Sequence, residues 1–198
     1  MTWVTLRAFR HVQLHAAHGY LFSLLIDRRI YPRADVVTTA IADWARRLSD
    51  RGIETSVRVS QRTGDPVFDA NGREEFLDTI SLLPVGYVDV SSGFYNIDKR
   101  LIYPSLAAIT RQRWQETFAL ANRHGRTQFI LSGKSAGAVE VDLSDNVHIG
   151  ICRDLIANPD YLRDKENGCI NAMKCHYYSR GEAHLTCERW DTEKHKPL

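Results

Sequence analysis

At 198 residues, with 43% hydrophobic and 25% charged side chains, the chain has the composition of an ordinary globular domain, which excludes a disordered protein. A formal net charge of +2 gives no general pull toward nucleic acid or anionic lipid, so no nucleic-acid partner is expected, and Lys/Arg clusters such as Arg111 to Arg113 read as solvated faces. No run of about 18 apolar residues predicts a membrane span, and the first twenty residues lack the basic-then-apolar pattern of a secretory signal, so the expected location is cytoplasmic.

In chain order, HVQLHA (11–16) reads as a strand and GYLFSLLIDRRI (19–30) as a helix or loop. DVVTTAIADWARRLSDRG places Val36, Val37, Ala40, Ile41, Trp44, Ala45 and Leu48 on a helical stripe, with Gly52 as its stop. IETSVRVS reads as a buried strand, REEFLDTISLL as a helix ended by Pro84 and Gly86, and YVDVSSG as a strand closing on a small-residue loop. ITRQRWQETFALANRHG is helical up to Gly125, TQFILSG and NVHIGI are strands, and CRDLIANPDYL is a short helix broken before Pro159. This alternation predicts an α/β fold with a parallel sheet and crossover helices. Five strands are expected, ending near Ala16, Ser60, Ser91, Ser132 and Gly150.

Polar or small residues stand at each strand end: His15 and His18, Arg58, Ser91 with Ser92 and Gly93, Gly133 with Lys134, and Arg153. A parallel sheet gathers those ends on one side, which makes a binding face and points to a TIM-type βα-barrel or part of one. His15, His18 and Tyr20 sit together where the first strand gives way to an apolar segment. Their spacing is compatible with a metal, an anion, a flat polar ligand, or hydrogen-bonded rim residues without a ligand. Three of the four cysteines, Cys169, Cys175 and Cys187, crowd into the last thirty residues, which in a cytosolic protein reads as metal or cluster ligation before disulfide bonding. Cys152 stands apart and reads as a small buried residue.

The ordered segments VQLHAAHGYL, VRVS, SSG, SGK and GICRDLIANPD resemble the NADH:flavin oxidoreductase (old yellow enzyme) family of FMN-binding barrels. The tail CINAMKCHYYSRGEAHLTCERW is similar to the branch containing 2,4-dienoyl-CoA reductase and trimethylamine dehydrogenase, whose barrel precedes an iron–sulfur loop. The resemblance covers residues 9 to 190 and implies an FMN-dependent NAD(P)H oxidoreductase acting on an activated C=C bond or related small molecule. It divides the chain into a partial FMN-binding βα-barrel over 1–160 and a Cys-rich segment over 161–198.

The roles follow by position. His15 and His18 would donate to the oxygen of a ligand over the flavin, and Tyr20 would give a proton to the neighbouring carbon. Arg58 matches the strand-end arginine against the flavin pyrimidine ring; Gly133, Lys134 and Arg153 fall where the last two barrel loops cradle the FMN phosphate. Cys169, Cys175 and Cys187 keep three places of a four-cysteine cluster loop in which Ala172 takes the second. A three-ligand cluster, a zinc site using His176, or ordinary thiols are the readings of that loop.

Three departures carry consequences. The sequence matches the family only from its fourth strand, so five strands would leave two open edges and an apolar barrel interior uncovered. A companion subunit or self-association through those edges is therefore expected, unless the native product is longer. The segment after Tyr20 is shortened, and Cys152 replaces a glycine beside Arg153. The competing reading is a non-catalytic structural or regulatory subunit that no longer binds flavin.

Overall fold

The computed structural model describes residues 9–104, 106–134, 143–170, 187, 189 and 190. The chain divides into two compact units, Met1–Gly150 and Ile151–Leu198. The first holds one five-stranded sheet in the order β1-β2-β3-β4-β5, every neighbouring pair parallel. The strands are β1 (His11–Ala16), β2 (Glu54–Ser60), β3 (Tyr87–Ser91), β4 (Gln128–Ser132) and β5 (Val147–Gly150). Their last residues are the five expected from the sequence.

Between them run α1 (Leu21–Ile26), α2 (Ala34–Ser49), α3 (Pro66–Ala70), α4 (Arg73–Ser81), α5 (Lys99–Ile102) and α6 (Ala107–Arg123). The sequence reading missed α3 and α5, each about one turn long and too short to show a period. Both start on a capping aspartate: Asp65 accepts from the N–H groups of Val67 and Phe68, with Pro66 preset for the first helical position, and Asp98 accepts from Arg100.

Among the described residues, the helices α1, α2, α4 and α6, which lie between consecutive parallel strands, all pack on one face of the sheet. That face is apolar: Ala16, Val57, Val59, Val88, Val90, Phe129, Leu131 and Val147 pack with Ile26, Ile41, Phe76, Leu77, Ile80 and Leu120 of the helices. Each of the Val, Leu, Ile and Phe side chains contributes about 1.5–3 kcal/mol on burial. In α2 the buried residues are Ala34, Thr38, Ile41, Ala42 and Ala45, whereas Val36, counted into the stripe from sequence, is exposed. The stripe is rotated because Ala34 and Thr38 are small enough for close approach.

Alternation along the strands puts His11, Gln13 and His15, then Ser56, Arg58 and Ser60, then Tyr87, Asp89 and Ser91 on the opposite face. The expected apolar interior is therefore corrected: over β1, β2 and β3 the face away from the helices is polar, and its side chains hydrogen-bond one another across strands. His11 Nε2 and Ser56 Oγ are 2.8 Å apart, and Gln13 Nε2 donates to Asp89 Oδ2 at 3.0 Å.

Two arginines contradict the solvated-face reading of basic residues. Arg113, within the Arg111–Arg113 cluster, is only 2% exposed. It lies on the buried stripe of α6 with Thr117, Leu120 and Ala121, and donates to the carbonyls of Ser132 (3.0 Å) and Leu101. The Arg29 side chain is wholly buried. It binds Asp27 through two parallel bonds of 2.8 and 2.6 Å, reaches Asp69 at 3.1 Å, and lies 5.0 Å from the Phe76 ring centroid. A planar guanidinium meets all these partners at once, as an ammonium would not.

The second unit contains α7 (Arg153–Ala157) and a single 3-10 turn at Lys165–Asn167. Among the described residues, no helix is long and apolar enough to cross a membrane.

Candidate functional site at the strand ends

The C-terminal ends of β1, β2 and β3 carry one connected group of side chains. His15 stands in register with Arg58, and Arg58 with Asp89. Beyond β1 the chain turns through two left-handed residues, His18 (φ 69°) and Gly19 (φ 82°). Glycine enters this region freely; histidine does so only where other contacts compel it. Those contacts are present. The His18 N–H donates to Ser60 Oγ at 2.9 Å, its carbonyl accepts from the Tyr95 N–H at 3.0 Å, and His18 bridges to Phe94.

This turn brings together the three residues that sequence reading grouped. The ring centroids of His15 and His18 are 5.2 Å apart, and those of His15 and Tyr20 are 5.6 Å apart. His15 and Tyr20 are exposed, whereas His18 is 8% exposed. Two tyrosines that the sequence did not single out extend the group: Tyr95 packs on Tyr20 at 5.4 Å and on His18 at 6.1 Å, and its hydroxyl bonds that of Tyr103.

Beneath the rings lies a charged pair. Arg58 donates to Asp89 Oδ2 and to Ser91 Oγ, both at 3.3 Å, and Ser91 Oγ is 2.7 Å from His18 Nε2. Among the described residues, Arg58 Nε and Asp89 Oδ1 have no hydrogen-bond partner. Asp89 and Gln13 escaped the sequence reading, although polar residues at every second position of β1, β2 and β3 were the available signal.

Burial and charge hold both histidines neutral. Desolvation first, then the Arg58 cation, lowers the pKa of His18 to about 3; His15 is lowered by the same two causes, opposed by Asp89. Burial, followed by hydrogen bonds with Tyr103 and Tyr20, raises the Tyr95 phenol and keeps it protonated. The rim thus offers neutral imidazoles and phenols beside a guanidinium, a set that suits a polarisable oxygen more than a bare cation.

Gly133 and Lys134 follow β4 in the first unit, with φ of 88° and 53°. Gly133 has a packing explanation: a Cβ there would fall inside the space of Arg113 Nη1. Arg153 opens α7 in the second unit. In that unit the Cys169 N–H donates to Asp154 Oδ1 at 2.9 Å. Cys175 and Ala172 lie outside the described residues, and so does any cluster through them. Among the described residues, no three His, Cys, Asp or Glu side chains form a metal-binding group.

No family model matches the sequence, and no curated protein matches it either.

Proposed function

We propose that the rim of His15, His18, Tyr20 and Arg58 is the substrate end of a flavin-dependent oxidoreductase, which moves hydride from NAD(P)H through FMN to an activated C=C bond. The observation that carries this reading is the convergence of those four residues, from two strand ends and one left-handed turn, within a single cluster. Bound FMN would supply the hydride carrier. The side chains fit such a group through Arg58, whose side chain is 26% exposed on the polar face and whose buried Nε has no hydrogen-bond partner among the described residues.

The chain's own residues then have distinct tasks. Neutral imidazoles at His15 and His18 donate to a carbonyl oxygen and stabilise the negative charge that gathers there as the C=C bond is reduced. Tyr20, beside His15, delivers the proton to the adjacent carbon. Arg58, anchored below by Asp89, holds a fixed cation at the rim. Gly133 adds little support, because Arg113 accounts for it; the reading rests on the rim. In the tail, Cys169, Cys175 and Cys187 remain candidates for an iron–sulfur or zinc site.

The same reading includes closure of the sheet into a barrel. Among the described residues, β1 pairs only with β2 and β5 only with β4, and all the strands run parallel with helices on one face. Further βα units, from a companion subunit, a second copy or more of the same product, would cap both edges and enclose the polar face.

The test is direct. Purified protein is titrated with FMN, followed by absorbance and by quenching of flavin fluorescence, then given NADH and an enone. Stoichiometric uptake and enone-dependent NADH oxidation, lost in the His15→Ala/His18→Ala double variant, support the assignment. Absence of FMN uptake by the chain, alone and in the assembly it forms, overturns it.

A further inference from the structure

Five side chains from three strands and one turn form a hydrogen-bonded series whose direction is fixed. Gln13 Nε2 and Arg58 Nη1 donate to Asp89 Oδ2 at 3.0 and 3.3 Å, and Arg58 Nη2 donates to Ser91 Oγ at 3.3 Å. A guanidinium holds only donors, so Ser91 Oγ must be the acceptor in that bond. Ser91 is 0% exposed, which removes bulk water as a partner. Its second neighbour is His18 Nε2, at 2.7 Å.

The serine proton decides the histidine. Were His18 to carry a proton on Nε2, Ser91 would accept twice and its own buried O–H would have no acceptor. A buried donor left unmade is strongly unfavourable. With the proton on Nδ1 instead, Nε2 presents a lone pair, and the Ser91 hydroxyl donates into it. Both hydrogen bonds of the Ser91 hydroxyl are then made, one accepted from Arg58 and one donated to His18.

We propose that Ser91 is a positioning residue that fixes His18 as its Nδ1–H tautomer, Arg58 setting the direction of the Ser91 hydroxyl. His18 is left with one neutral donor, Nδ1–H. The other groups around the ring do not oppose this: His15 and Tyr95 pack against it edge-on, and the Arg58 and Arg113 cations both disfavour an imidazolium. The tautomer stands on this chain's own hydrogen bonds; its use as a donor to a substrate oxygen rests on the flavin reading above.

The experiment is a long-range proton–nitrogen correlation spectrum of the nitrogen-labelled full chain at neutral pH, without cofactor. A pyrrole-type Nδ1 and a pyridine-type Nε2 on His18 are expected. A protonated Nε2 in the unaltered protein overturns the proposal, whatever the variants do. In Ser91→Ala the single pattern should give way to a mixture of both tautomers, and Ser91→Thr, which keeps the hydroxyl, should restore one pattern. An unchanged spectrum in Ser91→Ala removes Ser91 from the role.

A second measurement separates this from the flavin assignment. In FMN-loaded protein, Ser91→Ala should slow enone reduction about five- to tenfold, the rate equivalent of one neutral hydrogen bond, while flavin reduction by NADH is unchanged. Protein that takes up no FMN refutes the flavin reading and leaves the tautomer to be decided by the spectrum.

Discussion

Gly133 and Arg113 occupy one space: the side chain that residue 133 lacks would coincide with the guanidinium that closes the end of β4. The arginine reaches there from the buried stripe of α6 and donates to Ser132 O, the carbonyl just before the glycine. A residue that sequence resemblance assigns to a cofactor phosphate thus has a complete account in packing. Gly133→Ala combines a collision with a left-handed backbone at φ 88°, and is expected to lower unfolding free energy by at least about 2 kcal/mol in urea titrations. A neutral result would show that Arg113 can move aside.

Arg29 should be among the most sensitive charged positions, because its side chain is wholly buried. Its side chain lies between the carboxylates of Asp27 and Asp69 and also donates to the carbonyls of Ser60 and Gln61. Arg29→Met leaves two carboxylates buried without their cation and should destabilise by about 3–5 kcal/mol. Arg29→Lys should recover only part of that, since an ammonium cannot reproduce the forked bond to Asp27. Chemical denaturation midpoints of the two variants test the order.

Acid should weaken the fold through His18. Its pKa falls from 6.5 to about 3 on folding, so between those values the unfolded chain binds a proton that the folded chain refuses. Stability therefore rises with pH across that window. The contribution is complete above pH 6.5 and is progressively lost below it, with a slope of up to about 1.4 kcal/mol per pH unit for one group. His15 acts in the same direction. His18→Asn should flatten the dependence of the urea midpoint between pH 7 and pH 5; an equally steep dependence in the variant would place the acid sensitivity elsewhere.

Within the proposed chemistry, Tyr20→Phe separates proton delivery from everything else. The ring remains against His15 and Tyr95, and only the hydroxyl is lost. Enone reduction should fall by about a hundredfold or more, while FMN binding and flavin reduction by NADH stay within twofold. Rapid-mixing measurement of the two half-reactions distinguishes this from a general loss of the site.

The sequence alone determined the strands and their ends, because alternation with period two and the small or polar residues that stop it are local properties. It determined the long helices for the same reason, and grouped His15, His18 and Tyr20 because they are neighbours in the chain. Everything that depends on residues far apart was decided by the tertiary structure. Arg113 and Arg29 look like solvated charges until parallel packing surrounds them with carbonyls and carboxylates supplied by other segments. Polar residues at every second strand position are visible in the sequence, but their pairing arises only when register lines up Gln13, Arg58 and Asp89 from three strands. His18 and Ser91 are 73 residues apart, and no local pattern can say that one supplies the proton the other accepts. Hydrogen-bond direction is a property of the assembled network, since each buried hydroxyl is oriented by whichever partners folding brings to it.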